Sequence, residues 1–228
     1  MTISRRLEAI LVIASLVTGA TGTASMLTFR RGQDFDLVAS ANPGTTGSTD
    51  TDRTAMVERA RGKRVQADAV ASATATCESC TGTAAAVQVV YVNKAKKGTA
   101  DNVATAWSSC SNCRATSVSV QIVVVRPGTT ITARNRALAV NVACSGCTTA
   151  AIAVQFVVVT SKHRTFSRDG RQQLEALARE LQAQLSTRTK AARLAATKDK
   201  NGLTGIEALV QKELKPTSVK PQLIVKTG

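Results

Sequence analysis

Three Cys-x-x-Cys pairs at near-constant spacing constrain this chain more than any other feature. Cys77-Glu78-Ser79-Cys80, Cys110-Ser111-Asn112-Cys113 and Cys144-Ser145-Gly146-Cys147 recur at intervals of 33 and 34 residues. Eight positions after the second cysteine of each pair stands a glutamine: Gln88, Gln121 and Gln155. Each glutamine opens a β-branched run, Gln88 to Val92, Gln121 to Val125 and Gln155 to Val159. Cysteine, glutamine and valine coincide in register, so this is an internal repeat. A unit of this length cannot bury its apolar face alone and needs its neighbours.

Each copy reads as strand, tight turn, strand and loop. The run before the cysteines is small, Thr-rich or apolar, and the run after them is rich in residues that favour strands. Alternation separates two faces in the second strand. One carries Val87, Val89 and Tyr91, then Val120, Ile122 and Val124, then Val154, Phe156 and Val158. The other carries small residues and the glutamines. The first face is the better candidate for the core. The expected fold is mainly β: a three-copy Cys-x-x-Cys β-hairpin repeat over 68–160, as one sheet or a short solenoid, followed by a C-terminal α-hairpin. Aromatic residues make up only 3% of the chain, so that core must be built from aliphatic side chains, and small units of this kind need staples.

Six cysteines admit three chemistries. An oxidising compartment favours disulfides, and six cysteines allow fifteen connectivities. Pairing within each turn is the simplest, because the two thiols are already close; pairing between stacked copies is the alternative. A zinc site would need four ligands and leave a pair over, with His163 the only histidine. A thiol–disulfide exchange site would place its motif at a helix N-terminus, whereas these motifs enter β-branched runs. Structural disulfides are the expectation, with a thiol redox or metal protein as the alternative.

The flanks read differently. Residues 1–25 resemble a secretory signal: Arg5 and Arg6 precede the apolar stretch Ala9 to Val17, and small residues follow. Glu8 stands where a twin-arginine signal wants an apolar residue, which favours the general secretion route. The expected location is therefore extracellular or cell-envelope associated. Residues 26–67 read as a flexible linker, with Ala39 to Thr54 almost devoid of apolar content and a short basic helix over Arg53 to Val65. Within 161–228, Ser167 is a predicted N-cap for a helix with Leu174, Leu177, Leu181 and Leu185 on one stripe. Lys198 to Gly202 breaks the run, a second helix follows from Thr204 to Leu214, and Pro216 to Gly228 reads as a loose tail. Docking of this hairpin on the β repeats is favoured over a dimerising coil, which would need more heptads.

The formal charge is +15, with 30 Lys and Arg against 15 Asp and Glu. Removing residues 1–25 subtracts Arg5, Arg6 and Glu8 and leaves +14, of which residues 161–228 carry +8. Such charge attracts polyanions. Aromatic platforms and reading motifs for nucleic acid are missing, so no specific nucleic acid is expected. Anionic envelope polymers or a protein partner fit an exported chain better. Self-association is a further expectation, since Gln- and Val-rich repeats pair edge to edge. No catalytic constellation, phosphate loop or dinucleotide fingerprint is present in the sequence. His163 lies between Lys162 and Arg164 without an acidic neighbour, so neither an enzyme nor a cofactor is expected.

One stretch resembles a known group. Ala143-Cys144-Ser145-Gly146-Cys147-Thr148-Thr149-Ala150-Ala151-Ile152-Ala153-Val154-Gln155-Phe156-Val157 is similar to the C-terminal region of actinobacterial putative peptide zinc metalloproteases. Phe166, Gly170-Arg171, Ile206-Glu207-Ala208-Leu209 and Glu213-Leu214-Lys215-Pro216 follow in a similar order. The membrane spans and His-Glu-x-x-His of those proteins have no counterpart here, so no protease residue carries over. The resemblance implies a free-standing relative of an accessory region. The expected function is an exported, non-catalytic binding or structural module, with substrate docking to a membrane metalloprotease as the alternative.

Overall fold

The twelve-residue alternating segments of the repeats become strands of equal length, and equal length lets them stack. In the computed structural model, which describes residues 32–187 and 201–228, nine strands and two helices follow in order. They are β1 (Gln33–Ala41), β2 (Thr49–Ala60), β3 (Arg64–Ala75), β4 (Thr81–Val92), β5 (Lys97–Ser108), β6 (Arg114–Val125), β7 (Thr130–Asn141), β8 (Thr148–Val159), α1 (Arg168–Thr187), α2 (Asn201–Leu214) and β9 (Ser218–Thr227). The signal-like residues 1–25, and most of the break expected at Lys198 to Gly202, lie outside the described residues.

Strands β1 to β8 alternate between two sheets and pair in parallel, in the orders β1-β3-β5-β7 and β2-β4-β6-β8-β9. The chain is thus a β-solenoid of four coils, each contributing one strand to each sheet. The two strands of a repeat do not pair with one another. They form an arch between sheets, and each pairs with its equivalent in the next coil, as Gln88 with Gln121 and Gln121 with Gln155. The repeat is therefore an arch rather than a hairpin, and of the two arrangements expected the solenoid is realised.

Residues 26–67 are corrected by the structure. Residues 26–31 lie outside the described residues; Gln33 to Ala60 form the first coil, β1 and β2, and Arg64 to Ala67 begin β3, in place of a linker with a basic helix. Ala39 and Ala41 are fully buried, so low apolar bulk did not prevent order. In-register pairing with β3 and β4 supplies the hydrogen bonds. Pro216 to Gly228 is likewise not a loose tail: β9 pairs antiparallel with β8 and closes that sheet.

Both faces of the second-strand runs are buried. The Val87, Ile122 and Phe156 face meets Leu174, Ala178, Leu181 and Leu185 of α1 and Ile206, Leu209, Val210 and Leu214 of α2. This face was expected to be the core, and it is the covered one. The glutamine face is the interior of the solenoid, which corrects the expectation that only one face packs. Near the cysteine turns that interior is lined by Ala39, Ala73, Ala84, Ala106 and Ala153, and near the opposite turns by Val65, Val90, Val123 and Val125. We call the helix-clad sheet the covered sheet. The other, whose outer face meets solvent, is the open sheet.

Ser167 caps α1, its Oγ accepting from Gly170 N at 2.9 Å. Glu213 of α2 accepts from Ser167 N at 2.9 Å, tying the two helices together at that end.

Candidate functional site: a basic ridge opposite the disulfide turns

The residues singled out by the repeat divide between one edge of the solenoid and its interior. Each cysteine pair is bonded within its own turn, Cys77–Cys80, Cys110–Cys113 and Cys144–Cys147, with Cα separations of 5.4, 5.8 and 5.9 Å. The turns stack along one edge. Their third residues, Ser79, Asn112 and Gly146, hold left-handed backbone with φ of 56°, 56° and 69°. Ser79 N donates to Ser111 O at 2.9 Å and Asn112 N to Ser145 O at 2.7 Å, so the unusual backbone aims an amide at the next coil. The first coil has the same turn without cysteines, Thr45-Thr46-Gly47-Ser48. There Gly47 has φ 70° and Gly47 N donates to Glu78 O at 2.9 Å.

Gln88, Gln121 and Gln155 are fully buried and form one ladder. Gln155 Nε2 donates to Gln121 Oε1 at 2.6 Å, and Gln121 Nε2 donates to Gln88 Oε1 at 2.7 Å. The amides also reach across to the open sheet, Gln88 to Phe35 O at 2.8 Å, Gln121 to Ala67 O at 2.8 Å and Gln155 to Ala100 O at 3.1 Å. A second, shorter ladder runs the other way. Asn102 Nδ2 donates to Asn135 Oδ1 at 2.8 Å and to Val154 O at 2.9 Å. These carbonyls have a second lone pair to offer, so the ladders bolt the sheets together without breaking strand pairing. The repeat glutamines therefore belong to the interior and are out of reach of a ligand.

What lies exposed is the edge opposite the disulfides. The inter-coil turns there carry Arg61, Lys63 and Arg64, then Lys94, Lys96 and Lys97, then Arg126, then Lys162 and Arg164. Ala60, Val92, Val125 and Val159, the residues that enter these turns, are aligned by strand register. The turns accordingly stack at the roughly 4.8 Å spacing of neighbouring strands, and Arg64 and Lys97 stand one such step apart. All are exposed except Arg126, which is half-buried and donates to Thr160 O at 3.3 Å. Among the described residues the ion pairs are Arg136–Asp101 and Arg179–Glu175, and neither involves this ridge. No Asp or Glu occurs in the four turns. His163 is exposed on the last of them, as its surroundings in sequence suggest.

The ridge borders an open groove of about 490 Å³ on the open sheet, lined by Arg64, Lys97, Gln66, Thr99 and Thr132, with the Asp34 carboxylate also in its wall. Gly98 lets β5 close up beside it, since a Cβ there would lie 2.8 Å from Val65 O. Arg64 and Lys97 are register partners, so two cations stand side by side over hydroxyls and an amide. Sequence reading treated each of these loops separately and placed the basic end in the C-terminal helices. The signal it missed is the recurrence of Lys and Arg at the same phase of the repeat.

Nothing converges elsewhere into a reactive cluster. Among the described residues no group of three or more His, Cys, Asp or Glu side chains is placed to hold a metal ion, and no helix is long and apolar enough to cross a membrane. Tyr91, its hydroxyl accepting from Phe166 N at 2.8 Å, is pushed up from the usual tyrosine range by burial beneath the helices. Comparison with protein-family models, with curated proteins and with solved structures finds no match.

Proposed function

We propose that this chain is an exported, non-catalytic module of the cell envelope that binds a linear polyanion along the ridge of inter-coil turns. The observation that carries the reading is the column of nine cations from Arg61 to Arg164, three, three, one and two in successive turns, with no carboxylate among the turns. Several cations in line along one edge suit a linear polymer that carries many anionic groups. Neutralising such a column releases counterions and relieves the repulsion among neighbours like Arg64 and Lys97. Bases would find little stacking platform there, since the ridge carries no Phe, Tyr or Trp and a single exposed His163; a phosphodiester polymer without bases is the better fit. The disulfides support export, because such bonds persist in oxidising compartments.

The test is binding of the disulfide-intact chain to a glycerol-phosphate polymer, followed by calorimetry across a salt series. Lys63→Gln/Lys96→Gln/Lys97→Gln is expected to weaken binding at least tenfold and to flatten the salt dependence by about 0.7 for each phosphate no longer neutralised. Arg168→Gln/Lys212→Gln, on the helices, should leave both unchanged. Equal losses from the two variants would mean diffuse charge rather than a ridge, and the reading would fall.

A further inference from the structure

The two sheets do not end together. Among the described residues the covered sheet has five strands and the open sheet four, because β9 adds to β8 and no strand adds to β7. This leaves a place for one more strand on the open sheet, beside β7 and facing the inner side of β9. The place is defined by side chains on every side. Arg134, Arg136 and Leu138 point outward from β7, and Leu138 is 56% exposed. Gln222, Ile224 and Lys226 of β9 are exposed or half-buried where an opposing strand would cover them. Asn135 Nδ2 donates to Gln222 O at 3.1 Å and seals the interior behind the slot, and Gly228 lies against Ala139 O at its far end. An opening of about 510 Å³ beside it is lined by Asn135, Arg136, Leu138, Ile224 and Lys226, among others.

The backbone of β7 is turned to accept a strand. Thr130 N donates to Lys96 O and Val142 N to Ser108 O, each at 2.9 Å, so the even-numbered amides face β5. Alternation then turns the odd-numbered amides, those of Ile131, Ala133, Asn135 and Ala137, off the edge. Of the other terminal strands, β1 and β9 are protected in ways that edge strands commonly are, while β2, at the far end of the covered sheet, lacks both the positive groove and the neighbouring strand that shape the place beside β7. On β1, Ser40 N and Asn42 N are capped by Asp52 and Asp50, each at 2.7 Å. On β9, Pro221 and two lysines occupy the edge. β7 also carries two charges, Arg134 and Arg136, but among the described residues it has no proline on its edge and no carboxylate on its edge amides.

We infer that the edge of β7 is a strand-addition site that takes a single extended peptide bearing two acidic residues at alternate positions followed by apolar ones. Charge and shape both select this occupant. A second solenoid cannot stack here, because its second strand would need the position β9 already holds. The undescribed stretches of this chain are themselves basic: residues 1–31 carry Arg5, Arg6, Arg30 and Arg31 against Glu8, and 188–200 carry five cations against Asp199. Facing Arg134 and Lys226, they are the wrong sign. An acidic partner segment would continue the outward row Asp36, Asp68, Asp101 and Arg134 and cover Leu138 and Ile224. Main-chain hydrogen bonds would supply affinity and the alternating side chains specificity. The site is separate from the cationic ridge and does not depend on what the ridge binds.

A probe is at hand in the sequence of β1, Gln-Asp-Phe-Asp-Leu-Val-Ala-Ser-Ala, which has the required pattern and already forms the far end of the same sheet. Trp107, the sole tryptophan, is 38% exposed and is the register partner of Val140, so its fluorescence reports on β7. Titrating this peptide into the disulfide-intact chain should give a saturable change in Trp107 emission. Ala137→Pro removes an edge amide without touching the β5 ladder and should abolish the change. Arg134→Glu, which leaves the Arg136–Asp101 pair in place, should weaken binding at least tenfold, and it decides the matter if the proline variant does not fold. A peptide with Lys at both Asp positions should bind at least tenfold more weakly. Equal binding by the Lys peptide, equal binding to Arg134→Glu, or no saturable binding at millimolar peptide would overturn the assignment.

Discussion

The glutamine ladder allows a sharp test of how this interior is held, because its three rungs are chemically alike but differently bonded. Met56 fills the equivalent place in the first coil, so methionine is a substitution the fold already accommodates. Gln121→Met removes the middle rung. Gln88 Oε1 then loses the donor it has from Gln121, and Gln155 Nε2 loses an acceptor but keeps Ala100 O. Leaving a buried polar group unpaired costs about 1–3 kcal/mol, so the middle substitution should cost about 2–4 kcal/mol. Gln88→Met orphans nothing, because Gln121 Nε2 retains Ala67 O at 2.8 Å; its cost should stay near 1 kcal/mol, about the net worth of one hydrogen bond. Gln155→Met strips Gln121 Oε1 of its donor but also removes Gln155 Oε1, which is buried without a protein partner, so it should fall between. The triple methionine variant leaves no orphan in the row and should cost less than Gln121→Met alone. The assay is equilibrium urea unfolding with disulfides intact, accepting only variants with unchanged m-values. Additive costs across the three positions would refute the ladder as a cooperative unit and reduce it to three independent interactions.

Other expectations follow from the turns and the helices. Cys110→Ser/Cys113→Ser should lower stability by about 2 kcal/mol, the chain-entropy value for so short a loop, seen as a fall of about 4–8 °C in Tm. Gly146→Ala should cost about 1–2 kcal/mol in the same unfolding assay, because φ is 69° and a Cβ there would meet the Asn112 side chain, whereas Ser79→Gly should be neutral or mildly stabilising. Glu213 is held below the usual carboxylate range, first by the hydrogen bond from the Ser167 amide. A depressed carboxylate stabilises the fold above its unfolded pKa, and that contribution is lost as pH falls through the lower folded value. Stability measured downward from pH 6 should therefore decline more steeply in the natural chain than in Glu213→Gln, and identical profiles would show that the helix clamp does not act through charge.

The repeat was legible because strand register is written in side chains of one kind at one phase, and the cysteines, glutamines and valines all obeyed it. The solenoid's first coil was not legible for the same reason. It keeps the backbone of the repeat but replaces the marks: Thr45 and Ser48 stand for the cysteines and Met56 for the glutamine. Asp50 and Asp52 read as solvating charges in a linker, yet their carboxylates cap the amides of Asn42 and Ser40 at the end of the stack. Charges that close an edge look like disorder when only composition is weighed. β9 was hidden by Pro221, a residue that argues against a central strand but suits an edge. The helices were the easier case, since Leu174, Leu181 and Leu185 declared their buried stripe and Ser167 its cap.

The two long edges of the solenoid divide the work of the fold in a way the sequence alone does not suggest. On one edge the turns are closed by disulfides and by amides aimed from coil to coil, and the interior behind them is mostly alanine. On the other the turns hold cations in adjacent coils, which repel one another. In water a pair of unit charges about 4 Å apart costs about 1 kcal/mol, and less across the wider spacing of flexible side chains. Three short-loop disulfides contribute about 2 kcal/mol each on the chain-entropy model. The wider Val65, Val90, Val123 and Val125 packing behind the cationic turns adds apolar burial where the charge is greatest. A four-coil stack with few aromatics has little stability to spare, so like charges can be concentrated on one edge only if the rest of the coil is fastened elsewhere. On this view the staples and the ladders fasten the coils whose opposite edge carries the ridge.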